Sequence, residues 1–389
     1  MPRALLAVLL LGAAPLHAQT NDHFFRSWSW GRDEGDARAA ALGGASLALA
    51  DDSVLARVNP AGLPSLSRPE ISVNVLRRAT ASTAAGDTLS GGVTLGSFTA
   101  GARVGSRWTA GLYATDARHA RITMDTRVPP DELIDRGSLE IRVREAGVST
   151  GIQIAPGLYF GGRLGLGYAS AEGEYRRDPP TPTQLTRLIV TTSGSDARLT
   201  GGVSAVWEPT SRLRLAGALD QGNAWTLERK AQSPWLGADL DTGSAYRLRQ
   251  PSALRGGAAL RLSHKVQAVA QVDRVRYSEI QSVLIIRQGA HAREDYQLAD
   301  AWEPRGGLEV SVPFRTLSLQ LRAGVERPAP GALAYEGGDP VEQETFTGMP
   351  ARFGWTAGGS LVTGSLRLHV AARGGADRGA VLAGLNLRF

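Results

Sequence analysis

From Ile71 to the C-terminal Phe389 the chain alternates apolar and polar residues with a period of two, in run after run separated by turn-forming residues. Successive side chains of a β-strand point to opposite faces, so the pattern commits the chain to strands with one apolar and one polar face. The runs fall at 71–80, 88–104, 107–124, 137–154, 157–176, 193–208, 211–228, 245–262, 264–286, 302–313, 316–328, 351–362, 364–373 and 378–389. That makes about fourteen, an even number as bacterial barrels require. The connections alternate in length. Short turns lie at Gly105-Ser106, Ala155-Pro156, Pro209-Thr210, Ser263, Phe314-Arg315 and Thr363, and longer ones at 125–136, 177–192, 229–244, 287–301 and 329–350. Short periplasmic turns opposed to long external loops are the pattern of an outer-membrane barrel. A soluble β-sandwich alternates too. It does not account for the loop lengths together with Trp108, Tyr159, Trp207 and Phe314 beside the short turns, where an interfacial girdle sits. The expected fold class is therefore all-β: a transmembrane outer-membrane β-barrel of about 14 antiparallel strands, its N-terminal segment plugging the lumen.

The first residues fit this location. Met1 to Ala18 carries Arg3, an apolar run from Ala4 to Ala14 and a small residue at Ala18, the form of a cleaved secretory signal peptide. The chain contains no cysteine, which excludes a cysteine-anchored lipoprotein, disulfides and thiolate zinc sites. The expected division is 1–18 signal peptide, 19–70 arm and plug, and 71–389 barrel. The formal charge of +6 comes almost wholly from arginine, and the arginines alternate with leucines along strands rather than clustering. A nucleic-acid partner is not expected.

Between leader and strands lies Leu42–Leu63, LGGASLALADDSVLARVNPAGL. Gly43-Gly44 breaks regular structure, Asp51 or Asp52 caps a short helix to Val58, Asn59 suits a left-handed helix end, and Pro60 stops the helix. The segment reads as a compact lumen plug, or as a helical turn leading into the first strand. Its Gly43-Gly44-Ala45, Asp51-Asp52-Ser53 and Asn59-Pro60-Ala61-Gly62 resemble the N-terminal hatch of the FadL-type outer-membrane transporters of long-chain fatty acids and aromatic hydrocarbons. PorV/PorQ-type proteins of a bacterial secretion system share much of that hatch. The resemblance covers about the first seventy residues, with a looser likeness at Pro251–Gly257. It implies passive uptake of hydrophobic or amphipathic small molecules, with Asn59, Pro60, Ala61 and Gly62 as hatch and gating residues. The PorV-type likeness implies instead a non-transporting barrel that scaffolds secretion. The terminal Phe389 resembles the signal read by the outer-membrane assembly machinery.

No catalytic constellation is legible: no G-x-S-x-G elbow, no phosphate-binding loop and no metal-ligand spacing among the histidines. Neither an enzyme, a cofactor nor a metal is expected; the partners expected are a small hydrophobic cargo and outer-membrane lipids, around a monomer. Two phase breaks stand out. The apolar positions switch from odd to even at Gly96-Ser97, and shift again near Asp273-Arg274; each implies a bulge. The bulge at Gly96-Ser97 is the candidate opening of the wall, since in the family resembled a kink in the third strand makes a side exit. Arg142 and Arg144 alternate with Leu139, Ile141 and Val143, and a lipid-facing arginine at the midplane costs about 2–4 kcal/mol. They are therefore expected in the lumen with Arg212 and Arg214, and Arg247 and Arg249 near the rim, where guanidiniums either hold a carboxylate headgroup or pair with Glu140, Glu145 and other lumen acids. The tip of the 229–244 loop, Trp235-Leu236, is the expected contact for an apolar tail.

Overall fold

Fourteen strands follow one another around the wall: β1 (Glu70–Arg78, resumed at Ala81–Ser82), β2 (Thr88–Ser90 and Val93–Arg103), β3 (Trp108–Val128), β4 (Leu133–Ala155), β5 (Leu158–Asp178), β6 (Leu188–Trp207), β7 (Leu213–Asp220 and Asn223–Gln232), β8 (Ser244–Gln250 and Ala253–Arg261), β9 (Val266–Val275), β10 (Ala301–Pro313), β11 (Ser318–Glu326), β12 (Gly354–Thr363), β13 (Leu366–Gly374) and β14 (Ala380–Arg388). This computed structural model describes residues 35–82, 88–128, 133–178, 188–232, 244–281, 292–329, 332–348, 351–375 and 379–389. The expected signal peptide, the first part of the expected arm and the Trp235-Leu236 loop tip lie outside the described residues. Each strand pairs antiparallel with the next, and β1 pairs with β14 from Glu70 opposite Arg388 to Arg78 opposite Ala380. The sheet is closed. Closure removes the free edge that lipid could not hydrogen-bond.

The wall is uneven in height. Strands β3 to β6 run for 21, 23, 21 and 20 residues, whereas β13 and β14 run for 9 each. At about 3.3 Å per residue and roughly 40° of tilt, the long strands rise roughly 50 Å, twice the apolar band of about 25 Å. Their upper halves therefore stand outside the membrane.

That height explains a reversal of the expected facing. In β4, Leu139, Ile141 and Val143 are buried inside, and Arg142 and Arg144 point outward. Arg142 pairs with Glu140 at 2.5 Å, and Arg144 reaches Asp116 of β3 at 3.2 Å. Below Glu145 the same strand changes character: Ser149 is buried inside while Val148 is exposed outside. The outer face is thus apolar below and charged above, and the inner face is the reverse. The midplane cost invoked for a lipid-facing arginine does not apply to residues above the bilayer, so these two do not line the lumen.

Strand β9 shows the same inversion. Its pairing with β8 and β10 is continuous from Val266 to Val275, so the bulge expected near Asp273-Arg274 is absent. Val272 and Arg274 both face out; Asp273, Val275 and Tyr277 all face in. The break in the pattern marks the height at which the surroundings change. The strand also stops well short of residue 286, giving way to a helical turn at Ser278–Gln281.

The break at Gly96 is a true bulge. Asn74 of β1 pairs with Ser97 and Val75 with Leu95, leaving Gly96 without a counterpart. A second bulge lies at Ala117 in β3, where Asp116 and Arg118 are opposite successive residues of β4. It turns Arg118 inward, against the outward phase of the preceding residues. Trp108, Trp207 and Phe314 are exposed at the periplasmic rim; Tyr159 instead turns its hydroxyl to Glu208, and Phe160 takes the outward place.

Candidate functional site

Residues 35–66 are packed inside the lower lumen. They form α1 (Ala37–Ala41), α2 (Leu55–Val58) and a 3-10 turn (Pro60–Ser65), and nearly all of them are buried. Asp36 caps α1 by accepting from the Ala39 amide at 2.7 Å. The capping expected of Asp51 or Asp52 is not found: α2 begins after Val54 with no side-chain cap, Asp52 accepts from the Val54 amide at 3.1 Å in the turn before it, and Asp51 has φ of 58° and faces the barrel wall. Asn59 is not left-handed; with φ of −159° it is extended, and its side-chain amide donates to the Leu47 carbonyl at 2.5 Å. That bond ties the turn before Pro60 to the stretch after Gly43-Gly44.

Wall glycines create the room. A Cβ at Gly161 of β5 would lie 2.2 Å from the Ala61 nitrogen, and one at Gly151 of β4 would lie 2.3 Å from the Pro60 oxygen. A Cβ at Gly324 of β11 would meet the Gly43 nitrogen at 2.3 Å. The Asn59-Pro60-Ala61-Gly62 run therefore sits backbone to backbone on β4 and β5, with the Ala61 amide donating to Ser204 of β6 at 3.0 Å. Opposite it, the Ser46 and Leu47 amides both donate to Gln271 at 3.0 Å, and Arg38 grips Glu309 through two bonds of 3.1 and 3.2 Å.

Asp51 closes the segment onto the last strands. Its carboxylate lies 2.8 Å from Arg388 and 3.1 Å from Arg367, and both guanidiniums also donate to its backbone oxygen. Burial pushes the Asp51 carboxyl up, but the bonds and charges of Arg388 and Arg367 outweigh it and hold the group below the usual carboxylate range. Asp36 goes the other way: burial, then the neighbouring Asp52 charge, push it up to about 7.

Above this hatch a belt of buried charges crosses the lumen wall. Arg163 of β5 bonds Glu145 of β4 and Asp220 of β7, the latter at 3.1 Å. Arg255 lies between Asp220 and Asp273 at 3.6 and 3.4 Å, and Arg305 between Asp273 and Glu303 at 3.7 and 2.8 Å. Tyr113 and Tyr277 donate to the acids at its two ends. Buried charges persist when each has opposite neighbours, and here each does.

Above the belt the inward side chains are mostly apolar, with Arg118 of β3 among them. Ile122, Ile141, Trp225, Leu248, Tyr277 and Phe346 belong to one buried cluster. Its roof comes from the outer loops: α3 (Ser278–Gln281), α4 (Pro340–Thr345), and a short pairing of Tyr296–Gln297 with Ala334–Tyr335. Tyr296 packs edge-on to Tyr335 and Phe346 at 4.9 and 5.5 Å between ring centres.

At the height of the belt the wall is incompletely sewn. β2 and β3 pair from Arg103 opposite Thr109 to Phe98 opposite Ala114, and again from Ser90 opposite Arg121 to Thr88 opposite Thr123. Between them, residues 91–97 and 115–120 form no ladder with each other. The Thr115 hydroxyl donates to the Gly96 carbonyl at 2.5 Å instead. The hatch reaches this place, for Ser97 donates to the Gly35 carbonyl at 3.0 Å.

Gly96 and Ser97 thus stand where the chain was expected to bulge, and Asn59 to Gly62 lie inside the barrel. Arg142 and Arg144 are on the far side of the wall from them. The belt was missed, although its acids and arginines all occupy inward positions of their strands.

The fold and its filled lumen define a class: a closed outer-membrane β-barrel whose N-terminal segment is folded inside. Solved structures of the same build include a FadL homologue from Pseudomonas aeruginosa, at TM-score 0.66 and 13% identity over 96% of this chain and 99% of that one. The Ralstonia pickettii toluene transporter TbuX aligns at 0.62 and 12% identity, over 94% and 99%. The Pseudomonas putida toluene transporter TodX aligns at 0.62 and 14%, over 90% and 96%. The chain has the FadL-type fold. No protein-family model matches the sequence, and no curated protein matches it.

Proposed function

We propose that the protein is an outer-membrane channel for passive uptake of hydrophobic small molecules, which enter the apolar upper lumen and leave sideways through the wall between β2 and β3. The observation that carries this reading is the stacking of the three layers. An apolar solute gains about 0.8 kcal/mol for each CH₂ withdrawn from water, and the cluster around Trp225 and Ile141 offers such surroundings. Directly below, the charge belt and the hatch oppose it, because separating buried ion pairs leaves charges without partners. The unladdered stretch at 91–97 and 115–120 is the path of lower resistance, and Gly35 of the hatch rests against it. The toluene transporters of similar build fit a neutral aromatic or aliphatic cargo.

Arg142 and Arg144 lie outside the lumen and so do not hold a carboxylate headgroup there, while Arg214 of β7 lies below the hatch. The discriminating comparison is oleate against a neutral alkane of similar length, titrated against wild type, an Arg142→Ala, Arg144→Ala double variant and Leu248→Asn. The double variant should bind both as wild type does, and Leu248→Asn should weaken both about tenfold or more. Loss of oleate alone in the double variant would restore the headgroup reading. Binding of neither ligand by wild type would leave the secretion-scaffold reading in its place.

A further inference from the structure

On the periplasmic side of the hatch, a cavity of about 330 Å³ opens among the short turns. It is bounded by Ala48 to Asp51 of the hatch and by inward-facing residues of β7, β8, β9, β11 and β13. Its lining is unusually cationic: Arg38, Arg212, Arg214, Arg261 and Arg367, against the carboxylates of Asp51 and Glu208 only. Three of these arginines have an acid to hold. Arg38 is taken by Glu309, Arg214 by Glu208 at 3.0 Å, and Arg367 by Asp51. Arg212 and Arg261 lie side by side, the Arg261 amide donating to the Arg212 carbonyl at 2.8 Å, and among the described residues neither has an ion pair. Arg212 and Arg261 are exposed to the cavity, and an oxyanion seated there would accept from both guanidiniums at once. Gln267, Gln320, Thr210 and Ser211 add neutral polar groups to the same wall.

We infer that this cavity is a binding site for a small soluble oxyanion, a phosphate or carboxylate group, taken from the periplasm. It belongs to the lumen floor, since Arg214, Ala259, Gln267 and Arg367 all face inward, so a lipid headgroup outside the wall does not reach it. It is also separated from the apolar upper lumen by the hatch and the belt, and so is not part of the cargo path. Its neighbour Asp51 shares Arg367 with it. An anion that competes for Arg367 therefore loosens one of the two guanidiniums that hold the hatch.

The test uses the full-length protein in mild detergent at constant ionic strength, titrated calorimetrically with inorganic phosphate and, separately, with acetate. Saturable binding of one equivalent is expected, weakened about tenfold or more in an Arg212→Gln, Arg261→Gln double variant. Both residues are exposed and unpaired, so the barrel should fold normally, which heat-modifiable mobility verifies. Arg315→Gln, which removes a charge from a periplasmic turn outside the cavity, should bind as wild type does. Phosphate and acetate results identify which oxyanion the site prefers, and either one binding in this pattern supports it. Failure of both anions to saturate, or an equal loss in Arg315→Gln, would overturn the site in favour of a general positive field. Neither result bears on hydrophobic cargo, whose binding is read separately.

Discussion

Two aspartates in the hatch pull its stability in opposite pH directions. Asp51 is held below the ordinary carboxylate range, so its contribution is present above that range and disappears as the pH falls through the depressed value. Asp36 is raised from 3.8 to about 7, so its contribution is fully present below 3.8 and is lost as the pH climbs from there to about 7. The hatch should therefore be held most firmly near the ordinary carboxylate value, at about pH 4. Protease accessibility of residues 35–66 should pass through a minimum there and rise on both sides. Asp36→Asn, which keeps the helix cap, should abolish the rise towards neutral pH; Asp51→Asn should weaken docking by about 1–2 kcal/mol, a charge-assisted hydrogen bond discounted for partial exposure, and reduce the acid dependence. A flat profile in wild type would show that these carboxyls do not control the hatch.

At the scale of elements, the hatch turn and the strands beneath it are fitted through missing side chains. Gly161 faces Ala61, whereas at the adjacent Gly162 the nearest atom to an added Cβ is 3.8 Å away. Gly161→Val should unseat the turn, at about 1–3 kcal/mol as for other overpacked sites, while Gly162→Val should leave it in place. Hydrogen exchange of the Ala61 amide distinguishes the two, and equal protection in both variants would refute the fit. The period-two runs and the alternating loops made the fourteen strands and their order legible, because a barrel repeats one local rule. What they did not reveal was height. Alternation tells that Leu139 and Arg142 lie on opposite faces, and it is silent on which face is which once a strand leaves the bilayer. Strand β9 shows the same ambiguity at Asp273-Arg274, read as a bulge and built as an inversion, while Gly96 carried a real one. The hatch was placed by its Gly-Gly and Asn-Pro punctuation, but its partners Gln271, Glu309 and Arg388 are distant in sequence and carry no local mark. The outer roof drew on loops with no periodicity at all.

The whole molecule is a barrel with its own N-terminal segment packed into the lower lumen. Removing residues 19–62 should leave a barrel that still inserts and shows heat-modifiable mobility, since β1 to β14 pair without it. In planar bilayers that variant should conduct ions more strongly and with less selectivity than wild type. An unchanged conductance would mean that the segment does not block the lumen. The interrupted ladder between β2 and β3 has a thermodynamic consequence for whatever follows that route. On the proposed route it leads from the upper lumen to the upper edge of the apolar band, beside the outward Asp116–Arg144 pair, so a solute entering the bilayer there keeps most of its apolar surface away from water. Its distribution then follows its partition coefficient, and net flow stops once the membrane is saturated. Uptake through such a wall continues only as fast as something on the cell side removes the solute from the bilayer.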